Sequence, residues 1–187
     1  NESSAASDVY KRQIQYFFNK QWHLLKSYAE NKNISLIGDI PIYVSHDSAD
    51  VWANQKLFKL NDNGNMIVKS GCPPDYFMED GQVWGHPIYD WDNHRKENYR
   101  WWISRLSFLI ELVDLVRFDH FNGILRYWEI PVDHANGRDG NWVNGPGKKL
   151  INTLYDNIPR LNILAEDLGE LSHEVIELRS IKDIPGM

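Results

Sequence analysis

Three short apolar runs in this chain each lead into an acidic residue, and helical periodicity fills much of the sequence between them. The runs cover residues 34–37, 115–118 and 161–165. Asp39, Asp119 and Glu166 follow them. Apolar residues at helical spacing predict helices over 9–30, 93–112, 146–157 and 172–179, with Ser172 as an N-cap. Short apolar runs alternating with amphipathic helices predict an α/β fold whose parallel sheet is joined by crossover connections. The carboxyl ends of parallel strands share one edge, so three acids far apart in sequence are expected at one place in space.

Residues 47–92 interrupt this alternation. Asn63 and Gly64 separate the runs 57–60 and 66–68, which is a hairpin signal. Gly71, Pro73, Pro74, Gly81, Gly85 and Pro87 then punctuate the chain as turns. A long loop in a compact domain is usually functional or disordered. Tyr76, Phe77, Trp84, Tyr89 and Trp91 argue for order. Residues 1–8 are small and polar and are expected to be disordered or extraneous to the fold. No Gly-rich phosphate loop follows any of the three runs, which leaves a nucleotide site without an anchor.

Aromatic residues make up 13% of the chain, eight of them Trp. Two readings stand on composition alone: a Trp-rich core, or flat platforms for sugar rings. The acids are similarly double-edged. Asp after a strand is common as a helix cap or turn former. Paired carboxyl groups are also what glycoside chemistry needs, one ionised and one protonated. Arg117 lies two residues before Asp119, hence on the same side of a strand, where its charge would keep Asp119 ionised.

The charge balance narrows the partners. Net charge is -6 and the pI about 5.6, with no dense Lys/Arg cluster, so no nucleic-acid partner is expected. No run of apolar residues reaches the roughly 18 needed to span a membrane, and none is expected. Cys72 is the single cysteine, so no internal disulfide can form. The seven His form no metal-ligand pattern.

Several motifs follow one another along the chain. They are Gly38-Asp39-Ile40-Pro41-Ile42-Tyr43-Val44, Asp47-Ser48-Ala49-Asp50-Val51-Trp52 and Pro73-Pro74-Asp75-Tyr76-Phe77. The stretch GQVWGHPIYDW from Gly81 to Trp91 follows, with Arg117-Phe118-Asp119-His120-Phe121-Asn122-Gly123 after it. Tyr127-Trp128-Glu129-Ile130-Pro131 and Ala165-Glu166-Asp167-Leu168-Gly169 complete the set. In this order they resemble the 4-α-glucanotransferases, the amylomaltase or disproportionating-enzyme family related to the α-amylases.

The resemblance implies a partial (β/α)8 TIM barrel over 9–187, roughly the middle half, with a loop-rich insertion at about 47–92 beside a sugar site. By resemblance Asp119 is the nucleophile and Glu166 the general acid/base, with Arg117 and Asp39 in support. Asp75, Tyr76, Trp84, His120 and Asp167 are the expected substrate contacts. The implied ligands are maltooligosaccharides or α-1,4-glucans, and the implied reaction is retaining transfer between them without a metal or organic cofactor. An α-amylase-type hydrolase and a non-catalytic glucan-binding fragment are the alternatives. The resemblance also implies a third carboxylate that this sequence does not supply, so the chain alone is expected to be inactive or nearly so. Asn122 stands where many relatives carry Arg, and His86 where Asn is usual. A cytoplasmic location is implied, or a plastid one for a plant protein. The sequence leaves the oligomeric state open.

Overall fold

In a computed structural model the backbone is described for residues 2–168 and 172–187, and side chains from residue 6 onward within those limits. Gly169, the last residue of one motif above, lies outside the described residues. The chain opens with helix α1 (Glu2–Glu30), followed by strand β1 (Ile37–Ile40), helix α2 (Ala49–Ala53) and a 3-10 turn at Gln55–Leu57. Strands β2 (Val68–Cys72) and β3 (Gln82–Pro87), helices α3 (Trp91–Lys96) and α4 (Arg100–Leu112), and strand β4 (Leu115–Phe118) come next. A 3-10 turn at Phe121–Ile124 leads to β5 (Arg126–Pro131), β6 (Asn141–Asn144), α5 (Lys148–Asn157), β7 (Ile163–Ala165) and α6 (His173–Ser180).

Two sheets result. The first is parallel, in the order β1-β4-β7; β4 coincides with an expected apolar run, β7 lies within one and β1 begins at the end of one. The second is antiparallel, in the order β3-β2-β5-β6. It draws β2 and β3 from the connection between β1 and β4, and β5 and β6 from the connection between β4 and β7. A parallel bridge between Ala165 and Gly186 places residues beyond α6 alongside β7.

The parallel strands carry the core. Ile40, Val116, Phe118, Ile163 and Ala165 are all buried. Phe118 stacks on Trp102 of α4 at 5.6 Å, and Trp102 stacks on Trp91 at 6.1 Å. Fully burying a side chain such as Phe118 contributes about 1.5–3 kcal/mol. Tyr89 sits inside the same cluster and donates its hydroxyl to the Ile42 carbonyl at 2.6 Å. Much of the aromatic content is therefore core, as one of the two compositional readings held.

Several boundaries differ from expectation. The first strand occupies Ile37–Ile40 rather than 34–37, so Asp39 lies within it. Gly38 is a strand residue and not a turn. A Cβ there would meet the Val113 side chain at 2.9 Å, so the absent side chain admits Val113, the residue that caps the C-terminus of α4. The single helix expected over 93–112 breaks into α3 and α4. Asn98 and Tyr99 both take left-handed backbone conformations, which turns the chain and buries Tyr99. Helix α1 begins at Glu2 rather than residue 9, because apolar periodicity carries no signal through a polar first turn.

The apolar stripe that marked α1 in the sequence stays open. Tyr10, Ile14, Phe17, Phe18, Leu25 and Tyr28 are exposed. The helix is held near its C-terminal end, where Trp22 donates to the Leu112 carbonyl at 2.8 Å and Lys26 pairs with Asp114 at 3.4 Å. Among the described residues, no helix is long and apolar enough to cross a membrane.

Candidate active site

Register places the first three groups. Asp39 of β1 lies directly opposite Arg117 of β4, and Asp119 follows two residues later on Arg117's face. Arg117 uses both terminal nitrogens, reaching Asp39 at 2.6 Å and Asp119 at 3.0 Å. The hydrogen bond to Asp39 holds the Arg117 pKa above its ordinary value. A planar fork bridging two carboxylates fixes the position of both, which a lysine cannot reproduce.

Glu166 follows β7 and is buried. One of its carboxylate oxygens accepts the backbone N–H of His120 at 2.8 Å, and the other accepts that of Leu168 at 3.0 Å. The strand ends are also stitched by their main chains: Asp119 N–H donates to Ile40, and Glu166 N–H donates to Phe118, both at 3.0 Å. The two acids are thus carried by adjacent parallel strands and tied by the turn after β4.

A cleft of about 520 Å3 opens over this edge, within the size range of ligand pockets. Arg117, Asp119, His120 and Glu166 form its polar wall, and Tyr43 and Trp84 are among its apolar lining. Trp84 comes from β3, so the antiparallel sheet supplies one side of the cleft. His86, two residues on, faces the same side and lines it too. The His120 ring sits edge-on to Trp84 at 4.9 Å. Burial lowers the His120 pKa below its ordinary value, opposed by Glu166 and Asp119. The imidazole is therefore neutral near pH 7 and offers one donor and one acceptor. Burial raises the Tyr43 hydroxyl well above its ordinary range and keeps it protonated.

Not every expected residue reaches this cleft. Asp39 does not line it and acts on it only through Arg117. Asp167, expected to contact sugar, is buried elsewhere, paired with Arg179 of α6. Arg179 takes up the Asp167 carboxylate, and the residue does not line the cleft. Asp75 accepts the backbone N–H groups of Phe77 and Met78 at 2.8 and 2.7 Å, capping its own loop at the rim of a neighbouring cavity. Tyr76 is 95% exposed and stands clear of the cleft, with its ring edge-on to Phe77. Sequence reasoning left out Tyr43 and Leu168 as site residues. Both lie inside quoted motifs, two to four residues past a strand end, and that position was the available signal. Among the described residues no group of three His, Cys, Asp or Glu is arranged to hold a metal ion.

Two carboxylates at adjacent strand ends, an arginine bridging one of them to a third acid, and aromatic walls are groups that glycoside chemistry can use. The 4-alpha-glucanotransferase family model matches residues 1–187, and the chain belongs to that family. The 4-alpha-glucanotransferase of Streptococcus pneumoniae serotype 4 is 50% identical over 186 residues, covering 100% of this chain and 37% of that protein. The Thermus thermophilus 4-alpha-glucanotransferase is 46% identical over 173 residues, covering 92% of this chain and 35% of that protein. The chloroplastic/amyloplastic 4-alpha-glucanotransferase of Solanum tuberosum is 43% identical over 92% of this chain and 30% of its own length. The chain thus spans about a third of the curated relatives it matches. Among solved structures, the amylomaltase from Streptococcus agalactiae in complex with acarbose superposes with a TM-score of 0.88 at 44% identity, over 92% of this chain and 35% of that one.

Proposed function

We propose that this chain forms part of the catalytic unit of an enzyme that transfers α-1,4-glucan segments between maltooligosaccharides or starch- and glycogen-derived glucans. The observation that carries the reading is the pairing of Asp119 with Arg117, on the strand next to the one that ends in Glu166. Arg117 pairs with the Asp119 carboxylate and aims it for attack on an anomeric carbon. Glu166 protonates the departing glycosidic oxygen, and a covalent glycosyl-enzyme forms on Asp119. Glu166 then takes the proton from the 4-hydroxyl of an acceptor glucan, which attacks the intermediate and restores an α-1,4 bond with retention. Trp84, Tyr43 and His120 hold the sugar rings and keep water from the intermediate, which favours transfer over hydrolysis. No metal or organic cofactor enters these steps.

We further propose that the three parallel strands are consecutive strands of a (β/α)8 barrel. The open stripe of α1 supports this, since a barrel's outer helices bury such a face. The cleft has Asp119 and Glu166 as its carboxylates among the described residues, two of the three that the family resemblance implies. The chain spans about a third of its curated relatives, and the proposed turnover is that of the whole enzyme. For location we propose the cytoplasm, or the plastid if the source is a plant, as the names of the plant relatives print.

Incubating the intact enzyme with maltotriose and separating the products by size tests the reading. Glucose with a ladder of longer maltooligosaccharides is the expected result. Glucose and maltose alone would make water the acceptor and the enzyme a hydrolase. No product at all would leave only glucan binding.

A further inference from the structure

A cavity of about 440 Å3 lies apart from the cleft, and among the described residues the two share no lining. Helix α3 forms one wall of it. Gly145 and Pro146, which lead from β6 into α5, form another. Lys149 of α5 and Tyr99, at the start of α4, line it as well. Its size is that of a small-molecule site.

The start of α5 runs against the usual pattern. Gly147 is its N-cap and has no side chain to cap it, and the first turn carries Lys148 and Lys149 and no acid. Among the described residues the backbone N–H groups of Lys148, Lys149 and Leu150 reach no acceptor. A helix N-terminus is electropositive and favours acids, so two lysines there oppose the dipole. Glu177 of α6 draws off Lys148 at 3.7 Å, whereas Lys149 has no acidic partner among the described residues. Gly147 has φ 55, and nothing stands within 4 Å of the position a Cβ would take, so a ligand has room to approach the backbone.

Tyr99 adds an unmet donor of its own. Its side chain is 2% exposed and lines the cavity, and its hydroxyl makes no hydrogen bond among the described residues. Buried hydroxyls are rarely left so. The acids around the cavity are already engaged. Asp90 accepts the backbone and side-chain N–H groups of Asn93 at 2.9 and 3.0 Å, and Asp92 pairs with Arg95. Glu129 takes up Lys59, a further basic residue of the lining. What remains unanswered is therefore a set of donors: the Lys149 ammonium, the first-turn N–H groups of α5 and the Tyr99 hydroxyl. A glycine opening a helix, with a lysine in its first turn, is an arrangement that holds phosphate. The three terminal oxygens of a phosphate monoester answer more of these donors than a carboxylate can.

We infer that this cavity binds the phosphate group of a small phosphorylated ligand, held by Lys149, the first turn of α5 and the Tyr99 hydroxyl. Trp91 and Tyr127 line the remaining space and give a sugar ring an apolar surface beside the phosphate. The site stands apart from the acids of the cleft and does not depend on the glucan reading of them.

The test is calorimetric titration of the intact enzyme with glucose 6-phosphate, inorganic phosphate and glucose, in a Glu166→Gln background with maltoheptaose in excess to occupy the cleft. Glucose 6-phosphate is expected to bind, and glucose is not. Weaker binding of inorganic phosphate would put the sugar ring in the cavity as well; equal binding would make the anion the whole of the ligand. Lys149→Glu should weaken binding by about tenfold or more, and Tyr99→Phe by roughly three- to fivefold for one lost hydrogen bond. An acid in the first turn suits the helix dipole, so Lys149→Glu should leave the melting temperature unchanged or higher. That variant therefore reads the site even if Tyr99→Phe disturbs the fold. Binding of glucose as tight as that of glucose 6-phosphate, no binding of either phosphate compound, or binding untouched by Lys149→Glu overturns the inference.

Discussion

The backbone N–H of His120 donates to the Glu166 carboxylate at 2.8 Å, so the residue after the proposed nucleophile positions the proposed acid. His120 does this from a left-handed conformation, φ 49 and ψ 51, which non-glycine residues adopt at a cost. Histidine tolerates that region better than β-branched residues. His120→Val is expected to destabilise the fold by about 1–2 kcal/mol and to raise KM through the lost contact with Trp84. His120→Asn should recover most of the stability and not the KM. Urea unfolding together with steady-state kinetics separates the two effects.

Arg117 is expected to act on Asp119 through charge and geometry together. Arg117→Lys keeps the charge and cannot bridge both carboxylates, so turnover should fall by roughly ten- to a hundredfold. Asp39→Asn should fall less. Because the three groups share one network, the double variant should lose less than the product of the two single effects. Initial rates of glucose release from maltotriose measure all three enzymes.

The two acids themselves set the largest effects. Asp119→Asn and Glu166→Gln should each reduce transfer by at least about a hundredfold, the scale of losing a positioned acid or base. Both variants should still bind maltose. A binding loss that matched the loss of turnover would assign these residues to affinity alone.

Asp167 provides the contrasting case. Removing one partner of a buried ion pair strands the other, and Arg179 is still about a quarter exposed. Asp167→Asn should therefore destabilise the protein by about 1–3 kcal/mol, below the range for a fully buried pair. It should leave maltotriose kinetics close to native at temperatures where the protein is folded. A rise in KM without a change in melting temperature would restore its expected role as a sugar contact.

His94 gives the fold a pH dependence independent of the cleft. It is buried among Tyr89, Trp91 and Trp101. Burial lowers its pKa to about 4, opposed by Glu97, the Leu57 backbone and Asp90. Between that value and the ordinary 6.5 the unfolded chain binds the proton and the folded chain does not. Stability should thus rise with pH across this window, with a slope approaching about 1.4 kcal/mol per pH unit. His94→Phe should remove that component. Urea midpoints at pH 4.5 and 7 for both proteins measure it.

The parallel strands and their acids were legible because buried parallel strands read as uninterrupted apolar runs, and β4 was predicted at its observed bounds. The N-cap of α6 was legible for a local reason too: Ser172 accepts from the Val175 N–H at 3.4 Å. The antiparallel sheet was not. Val68, Ser70 and Gly71 pair with Pro131, Glu129 and Trp128, and no local pattern reveals a partner so far along the chain. The hairpin expected around Asn63 and Gly64 forms but stays short: Leu60 bridges Met66, Asn61 N–H donates to the Asn65 carbonyl and Ile67 N–H to that of Lys59, and from Val68 onward the chain pairs with β5. The destination of Asp167 was hidden for a related reason. Its partner Arg179 comes from a helix whose docking the sequence does not specify.

That second sheet also bears on how the protein reaches its native state. Its central pair joins β2 to β5, so it cannot close until the chain has passed through β4 and returned. Pairings of such long sequence separation slow folding, since the loop between them must be ordered first. Trp84 and Trp142 ride on the outer strands of that sheet, so their positions are set once it closes. Because β7 lies beyond β6, a nascent protein would have every strand of that sheet, and the Trp84 wall with it, before Glu166 could join Asp119 at the parallel strand ends.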